Sequence, residues 1–169
     1  ALKRRSAIPI SIDTTKAAMA EAAIAEGAAI VNDVSGLTAD PRMASVVAAA
    51  KAGVILMHRR GTPGTMQTLC RYENVIQDVR RELQECLNAA LAAGIEPDRI
   101  ALDPGIGFSK TREQNLALLC ELKTFAAFNR PIMIGVSRKS FLGGDLQSRS
   151  AGTLAAELWS CLQGVQMIR

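Results

Sequence analysis

Two hydrophobic periodicities alternate along the chain. Short apolar runs predict strands, and longer segments in which apolar residues recur every three or four positions predict helices between them. The predicted strands are Pro9–Asp13, Ala29–Val34, Val54–His58, Ile100–Asp103, Ile132–Val136 and Val165–Arg169. The predicted helices are Thr15–Glu26, Arg42–Lys51, a long one from Ile76 to Leu91, one around Leu116–Cys120, and Thr153–Leu162. This alternation indicates an α/β fold with a parallel sheet.

Turn and cap residues mark the expected helix ends. Thr14 or Thr15 is predicted to cap the first helix, and Asp40, followed by a proline, the second. Glycines stand where helices are expected to stop, shortly before strands, at Gly27, Gly53, Gly94 and Gly164. The chain contains no linker and no low-complexity segment, so we expect residues 1–169 to form a single domain.

Polar residues follow every predicted strand, which decides between two architectures. A doubly wound open sheet forms its site at one switch point, so only two or three strand ends need polar side chains. A (β/α)₈ TIM barrel gathers all strand ends around one pocket, and we therefore favour it. A full barrel takes about 250 residues, whereas this chain has 169 residues. We therefore expect an incomplete barrel of about six βα units.

Composition and charge narrow the possible functions. Apolar residues make up 49% of the chain, which is ordinary for a folded domain, and no apolar run is long enough to cross a membrane. The basic start Ala1–Arg5 precedes an apolar run too short for a signal peptide. Aromatic residues are only 4% and the net charge of +4 is scattered, so nucleic acid is not an expected partner. The spacing of the four cysteines fits neither a metal site nor a disulfide framework, so we expect reduced thiols and a cytoplasmic location.

Two loops after predicted strands carry the most specific chemistry. In the first, Asp103 precedes Pro104–Phe108, whose proline and two glycines fix an unusual loop and would let a flat ligand approach the backbone. In the second, Gly135–Phe141 places two cations, two hydroxyls and an aromatic ring after a buried strand. Lys139 is suited to donate to a carbonyl oxygen, and Ser140 to contact an anion or an amine.

Polar residues at the ends of the first three strands have structural as well as functional explanations. Asp13 is either a ligand-binding acid or a turn residue, and Asn32-Asp33 either binds a ligand or forms a turn toward Gly36. His58, the only histidine, is more often a structural hydrogen-bonding residue at such a position. Together the carboxylates, the amide and the lysine suit a planar heterocycle with an amidine-like edge, because a carboxylate accepts from a ring N–H and an exocyclic amine together.

Five segments of the chain resemble the dihydropteroate synthase family in order and spacing. They are Ser11–Thr14; Ile30–Gly36; Leu56–His58 with Gly61–Pro63 and Thr65-Met66; Leu102–Phe108; and Gly135–Phe141. The resemblance implies a (β/α)₈ barrel that joins p-aminobenzoate to a 7,8-dihydropterin pyrophosphate in folate synthesis. It also implies Mg²⁺ accompanying the substrate diphosphate, a homodimer, and a target of sulfonamides.

The same resemblance implies roles for individual residues. The implied catalytic residues are Asp13, Asp103 and Lys139, which would hold the pterin together with Asn32. The other implied substrate-binding residues are Met57 and Gly135 beside the pterin, Phe108 and Ser140 beside p-aminobenzoate, and Arg169 at the departing diphosphate. No residue of this chain is implied as a direct metal ligand.

The sequence also departs from the family pattern. The family's first two strands and the histidine that follows its diphosphate-binding arginine lie outside this sequence, Arg59 stands where a methionine is usual, and the segment between Phe141 and Arg149 is short. Two alternatives therefore stay open. One is a pterin-dependent methyltransferase that uses methyltetrahydrofolate and serves a corrinoid partner, and the other is a non-catalytic pterin-binding protein.

Overall fold

The computed structural model describes residues 7–169, in which six parallel strands alternate with five α-helices. The basic start Ala1–Arg5 lies outside the described residues. The strands are β1 (Ser11–Asp13), β2 (Ile30–Asp33), β3 (Gly53–Met57), β4 (Ile100–Asp103), β5 (Met133–Ile134) and β6 (Met167–Ile168). The helices are α1 (Ala17–Ala25), α2 (Met43–Ala50), α3 (Val75–Ala92), α4 (Arg112–Cys120) and α5 (Arg149–Leu162).

The strands follow one another in space in the order of the chain. A four-stranded sheet runs β1-β2-β3-β4, and β5 pairs with β6. A parallel bridge between Leu102 and Ile132, with a 2.9 Å hydrogen bond from the Leu102 N–H to the carbonyl of Pro131, joins the two groups. Among the described residues no pairing closes β6 onto β1, so the fold is an incomplete (β/α)₈ barrel, as the strand ends predicted.

The two faces of this arc of strands have different partners. Val31, Val54, Leu56, Ile100 and Leu102 face outward and form the main core with the helices. The alternate positions face inward, where Ile55, Ala101 and Met133 pack with Ile30 and Met167. Continuing the same alternation by two residues brings five of the six strands to a polar residue or a glycine at the carboxyl end and β3 to Met57, so the pleat itself turns the candidate residues toward the inside.

The structure corrects the expected cap of α1. Thr14 and Thr15 do not cap it: the hydroxyl of Thr14 accepts only from the backbone N–H of Lys16. The first-turn N–H of Ala17 instead donates to Asp40 at 2.8 Å, a carboxylate 23 residues away that also accepts from Arg42 ahead of α2. A tertiary contact therefore replaces the local cap.

Glycines end most but not all of the helices. Gly27, Gly94 and Gly164 adopt positive φ after α1, α3 and α5, as expected. The expectation for Gly53 is wrong, because Lys51 takes the left-handed conformation at φ 50° and Gly53 already begins β3. Within residues 7–169, no helix combines the length and the hydrophobicity needed to traverse a bilayer.

Candidate active site

The inward-facing residues at the carboxyl ends of the strands lie next to one another at one end of the arc, a group that we call the cleft. Strand register places neighbouring residues side by side: Asp13 pairs with Asn32, and Met57 pairs with Asp103. The inward positions at the strand ends are Asp13, Asn32, Met57, Asp103, Gly135 and Arg169. The loops after β4 and β5 bring Phe108 and Lys139 over them. The structure therefore brings together candidate residues from all six strand ends.

Asp13 connects the two ends of the arc. Its Oδ1 accepts from Nδ2 of Asn32 at 2.9 Å, and its Oδ2 accepts from Nη1 of Arg169 at 3.1 Å. The side chains of Asp13 and Arg169 are both about half exposed, with 52% and 51% of their surface accessible. An ion pair this open contributes only about 0–1 kcal/mol, so it is easily exchanged for a charged ligand.

Asn32 and Asp33 point to opposite faces and do different things. The side chain of Asn32 is buried, and among the described residues no donor reaches its Oδ1. Asp33 is also buried, but its carboxylate accepts from Ser35 and from the N–H of Leu37. Asp33 is therefore the turn residue of the pair, whereas Asn32 presents an unused acceptor to the cleft, an arrangement that calls for a ligand donor.

Asp103 is a second buried acceptor. One of its oxygens, Oδ1, accepts from the N–H of Gly105 at 2.7 Å, and within residues 7–169 no hydrogen bond reaches Oδ2. Burial raises the pKa of this carboxyl above its ordinary value, although the N–H of Gly105 and the charges of Lys139 and Lys110 act in the opposite direction. The cleft thus offers unused acceptors on two strands.

Lys139 supplies the donor side of the cleft. Its ammonium donates to the carbonyl of Ile106 and lies 4.5 Å from the ring centre of Phe108. Burial lowers the pKa of Lys139 to about 8, and the neighbouring Asp103 counters part of that effect. In this structure the carbonyl that Lys139 reaches belongs to the loop after β4, and its expected contact with a ligand oxygen stays a prediction.

The remaining candidates lie around the same cleft. Met57 is buried at the end of β3, and a Cβ added to Gly135 would lie 3.7 Å from the carbonyl oxygen of Arg169. Ser140 begins a short 3₁₀ helix, Ser140–Leu142, and its side chain is exposed. Phe108 is partly buried under Lys139.

The glycines of the first loop are required by the packing of the protein against itself. A Cβ on Gly105 would collide with the carbonyl of His58, and a Cβ on Gly107 would lie 2.6 Å from Cδ of Lys139. Both residues also have positive φ, at 70° and 85°. The expectation that they let a flat ligand approach the backbone stays a prediction.

Sequence reasoning missed a buried polar network beneath that loop. Lys110, only 5% exposed, donates to the carbonyls of Gly105 and Phe108 at 3.0 and 2.9 Å and lies 2.9 Å from Nδ1 of His58. Nε2 of His58 in turn lies 2.9 Å from Glu82 of α3. These contacts support the structural interpretation of His58. The sequence did not indicate a buried Lys110, because a lysine in a loop is usually exposed to solvent.

Further contacts fix the same loop from the side. Ser109, at φ 47°, accepts from the N–H of Arg60 and from the hydroxyl of Tyr72. The amide of Asn115, in α4, accepts from the N–H of Gly107 at 2.6 Å. A left-handed serine and a short glycine loop persist only when their surroundings determine them, so the loop is preorganised.

A resident metal ion needs several carboxylate, imidazole or thiolate ligands close together. Within residues 7–169 no group of three or more His, Cys, Asp or Glu side chains is placed to hold an ion. Asp13 is the exposed carboxylate of the cleft, and it is already paired with Arg169. The described residues therefore do not fit a resident Mg²⁺ held by protein ligands alone.

Comparisons with known proteins agree with this geometry. The family model described as pterin binding enzyme matches residues 1–169. A curated dihydropteroate synthase of Synechocystis is 42% identical over 174 residues, covering 100% of this chain and 60% of the relative. A structure of dihydropteroate synthase from Thermus thermophilus in complex with 4-aminobenzoate has a TM-score of 0.91 at 38% identity, covering 96% of this chain and 64% of that one.

A third relative is a structure that was solved with a bound ligand. The dihydropteroate synthase from Xanthomonas albilineans in complex with 7,8-dihydropteroate has a TM-score of 0.91 at 34% identity, and 99% of this chain matches 63% of it. The chain therefore spans about 60% of the length of these relatives.

Proposed function

The chain belongs to the pterin binding enzyme family, and from that premise we propose that its protein is a dihydropteroate synthase. The proposed reaction joins the amine of p-aminobenzoate to the methylene carbon of a 7,8-dihydropterin pyrophosphate. A C–N bond forms, the C–O bond to the diphosphate breaks, diphosphate leaves, and the amine loses one proton. The relatives are named dihydropteroate synthases, and we propose that activity for the whole protein to which this chain belongs.

The observation that carries this proposal is that two buried residues of the cleft, Asn32 and Asp103, each keep an acceptor that no described donor uses. Oδ1 of Asn32 and Oδ2 of Asp103 suit N–H donors, and the amino-pyrimidine edge of a pterin presents such donors side by side. Lys139 is a hydrogen-bond donor, so it suits the exocyclic oxygen of the ring, which is an acceptor. These residues hold the pterin in one orientation, and the nearby carboxylates favour positive charge as it develops at the methylene.

The rim of the cleft suits the other two parts of the reaction. We assign Phe108 and Ser140 to the p-aminobenzoate side, where the aromatic ring of Phe108 offers a stacking surface and the exposed hydroxyl of Ser140 a polar contact. Arg169 is the cation for the diphosphate, since its exposed pairing with Asp13 can be exchanged for a stronger phosphate contact. Mg²⁺ is proposed only as a companion of the substrate diphosphate, and no step is derived through it.

Two further properties are proposed for the whole protein. Leu154, Leu158 and Leu162 form a stripe on α5 with exposures of 58%, 58% and 76%, which supports a homodimer that covers this face. The free cysteines of the described chain fit a reducing compartment, which supports a cytoplasmic location.

Release of pyrophosphate tests the proposed reaction. The protein is supplied with the pterin pyrophosphate and Mg²⁺, with and without p-aminobenzoate, and a sulfonamide is added as a competitor. We expect release that depends on p-aminobenzoate and is inhibited competitively by the sulfonamide. Pterin binding without release would favour the non-catalytic alternative, and binding of methyltetrahydrofolate without turnover of the pyrophosphate would favour the methyltransferase, an alternative that the synthase names of the curated relatives do not support.

A further inference from the structure

Lys110 is an unusual lysine, because it is buried beneath the candidate site and every donor it has is used. Its three N–H groups match three acceptors: the carbonyls of Gly105 and Phe108, and Nδ1 of His58. Two of those acceptors belong to the loop that carries Phe108, and the same loop provides the Ile106 carbonyl to which Lys139 donates. Lys110 therefore fastens from below the loop that Lys139 contacts from above.

The proton positions in this network follow from the charges of its members. Burial lowers the pKa of His58 to about 4, so the ring is neutral near pH 7. Burial raises the pKa of Glu82, but the hydrogen bonds from His58 and Arg60 outweigh it and lower the pKa to about 2, so Glu82 is ionised. An ionised carboxylate only accepts, so Nε2 of His58 must donate to Glu82, which leaves Nδ1 as the acceptor for Lys110.

We propose that Lys110 is a positioning residue for the pterin site, which in its ammonium form holds the Gly105–Phe108 loop in the binding geometry through both loop carbonyls. The inference rests on the proposed function, because the ligand whose binding it governs is the pterin. A neutral amine has two N–H donors for the same three acceptors, so one of the three hydrogen bonds is lost when the proton leaves.

Charged groups from every side set the pH at which that proton leaves. The pKa of Lys110 is lowered to about 7, mainly by burial and also by the charges of Lys139 and Arg60. Asp103 and Glu82 act in the opposite direction. The shift is downward, so the ammonium form predominates below about pH 7 and is lost as pH rises through that value. Pterin affinity is therefore expected to fall over the same range.

The first experiment measures the affinity of the protein for 7,8-dihydropterin, which lacks the diphosphate, between pH 6 and 9. We expect a break in affinity near pH 7. Glu82→Gln removes a charge that raises the pKa of Lys110, so it should move this break to lower pH. Lys139 titrates near pH 8, but Glu82 is not among the groups that shift its pKa, so a break caused by Lys139 would stay in place.

The second experiment replaces the lysine itself. Lys110→Met keeps much of the side-chain length but leaves the three acceptors without a donor, and at pH 6.5 we expect an affinity for 7,8-dihydropterin at least tenfold lower, with no break near pH 7. Lys123→Met, at an exposed lysine of the Leu122–Phe128 helical turn, is the matched control and should bind as the unmodified protein does.

The outcomes separate this inference from the proposed function. No binding of 7,8-dihydropterin by the unmodified protein at any pH would overturn the proposed function and, with it, the inference. Binding without a break near pH 7, or a break that Glu82→Gln leaves in place, would overturn the inference alone. The Glu82→Gln result stands even if Lys110→Met fails to fold.

Discussion

At the scale of single residues, side chains alternate between the two faces of each strand, and this alternation determines which candidate residues lie close together. Asp13, Asn32 and Asp103 were found from their positions at strand ends and Met57 from the family resemblance, and the pleat turns all four toward the inside. Lys110 and Glu82 were missed, because a lysine in a loop and a glutamate on an amphipathic helix look solvated in the sequence. Their partners, His58 and two loop carbonyls, become visible only once β3, β4 and α3 are packed.

The role of Asp103 gives a direct test at this scale. Asp103→Asn keeps the size of the side chain but removes the charge-assisted hydrogen bonds to the ligand, so we expect pterin binding weaker by about 1–3 kcal/mol, or roughly 5- to 150-fold. Calorimetric titration measures the effect. Asp98→Asn, at an exposed aspartate ahead of β4 on the opposite end of the barrel, is the control and should leave binding unchanged. Unchanged affinity in Asp103→Asn would remove this residue from the site.

A pair of glycines tests the packing under Lys139. Gly107→Ala and Gly94→Ala both place a Cβ at positive φ, 85° and 88°, and each should cost about 1–2 kcal/mol of backbone strain. Only at Gly107 does the new atom also meet a neighbour, Cδ of Lys139, whereas nothing lies within 4 Å of it at Gly94. Urea denaturation should therefore show a larger loss for Gly107→Ala, by about 1–3 kcal/mol. Equal losses would mean that Lys139 moves aside without cost.

At the scale of elements, long-range contacts explain most differences from the expected structure. The alternation of strands and helices was predicted correctly, but β5 and β6 pair over only two residues each, and a single bridge at Ile132 links this pair to β4. The cap of α1 comes from Asp40 across the fold, and no local sequence pattern indicates it. The start of α4 is indicated by the sequence, because Thr111 and Gln114 have the spacing of a capping box, although the helix was predicted only around Leu116–Cys120.

That capping box also fixes the chain directly after Lys110. Thr111 accepts from the N–H of Gln114, and the side chain of Gln114 accepts from the N–H of Thr111 at 2.8 Å. Thr111→Ala removes one of these bonds and should lower the free energy of unfolding by about 1 kcal/mol. Thr111→Ser keeps the hydroxyl and should retain most of that stability. Chemical denaturation of the two variants compares them, and equal losses would show that the hydroxyl is not what holds the helix start.

At the scale of the whole molecule, the arc of six strands agrees with the predicted incomplete barrel, but it does not test the predicted domain or the roles of the site residues. Polar residues after every strand indicated a barrel, and the strand count indicated that the barrel is incomplete. The single-domain prediction for residues 1–169 stays a prediction. So do the roles of the individual site residues, Mg²⁺ and the homodimer, which a strand pattern cannot test.

The exposed stripe on α5 makes the homodimer testable. Leu158→Glu places a charge at the middle of the stripe, where 58% of the leucine surface is exposed, and should shift the protein toward monomers in analytical ultracentrifugation. Met19→Glu, at a residue of α1 that is 55% exposed, adds the same charge on another helix and should not change the sedimentation. A protein that sediments as a monomer before any substitution would refute the dimer.

The ion pair between Asp13 and Arg169 joins residues 156 positions apart in the chain. During synthesis the aspartate leaves the ribosome first, and at about 5–20 residues per second the arginine follows roughly 8–30 s later. During that interval β1 and β2 can pair, but Asp13 waits for the cation that neutralises it. The contact between the two ends of the arc therefore forms only after β6 has been synthesised, so this part of the candidate site is assembled late.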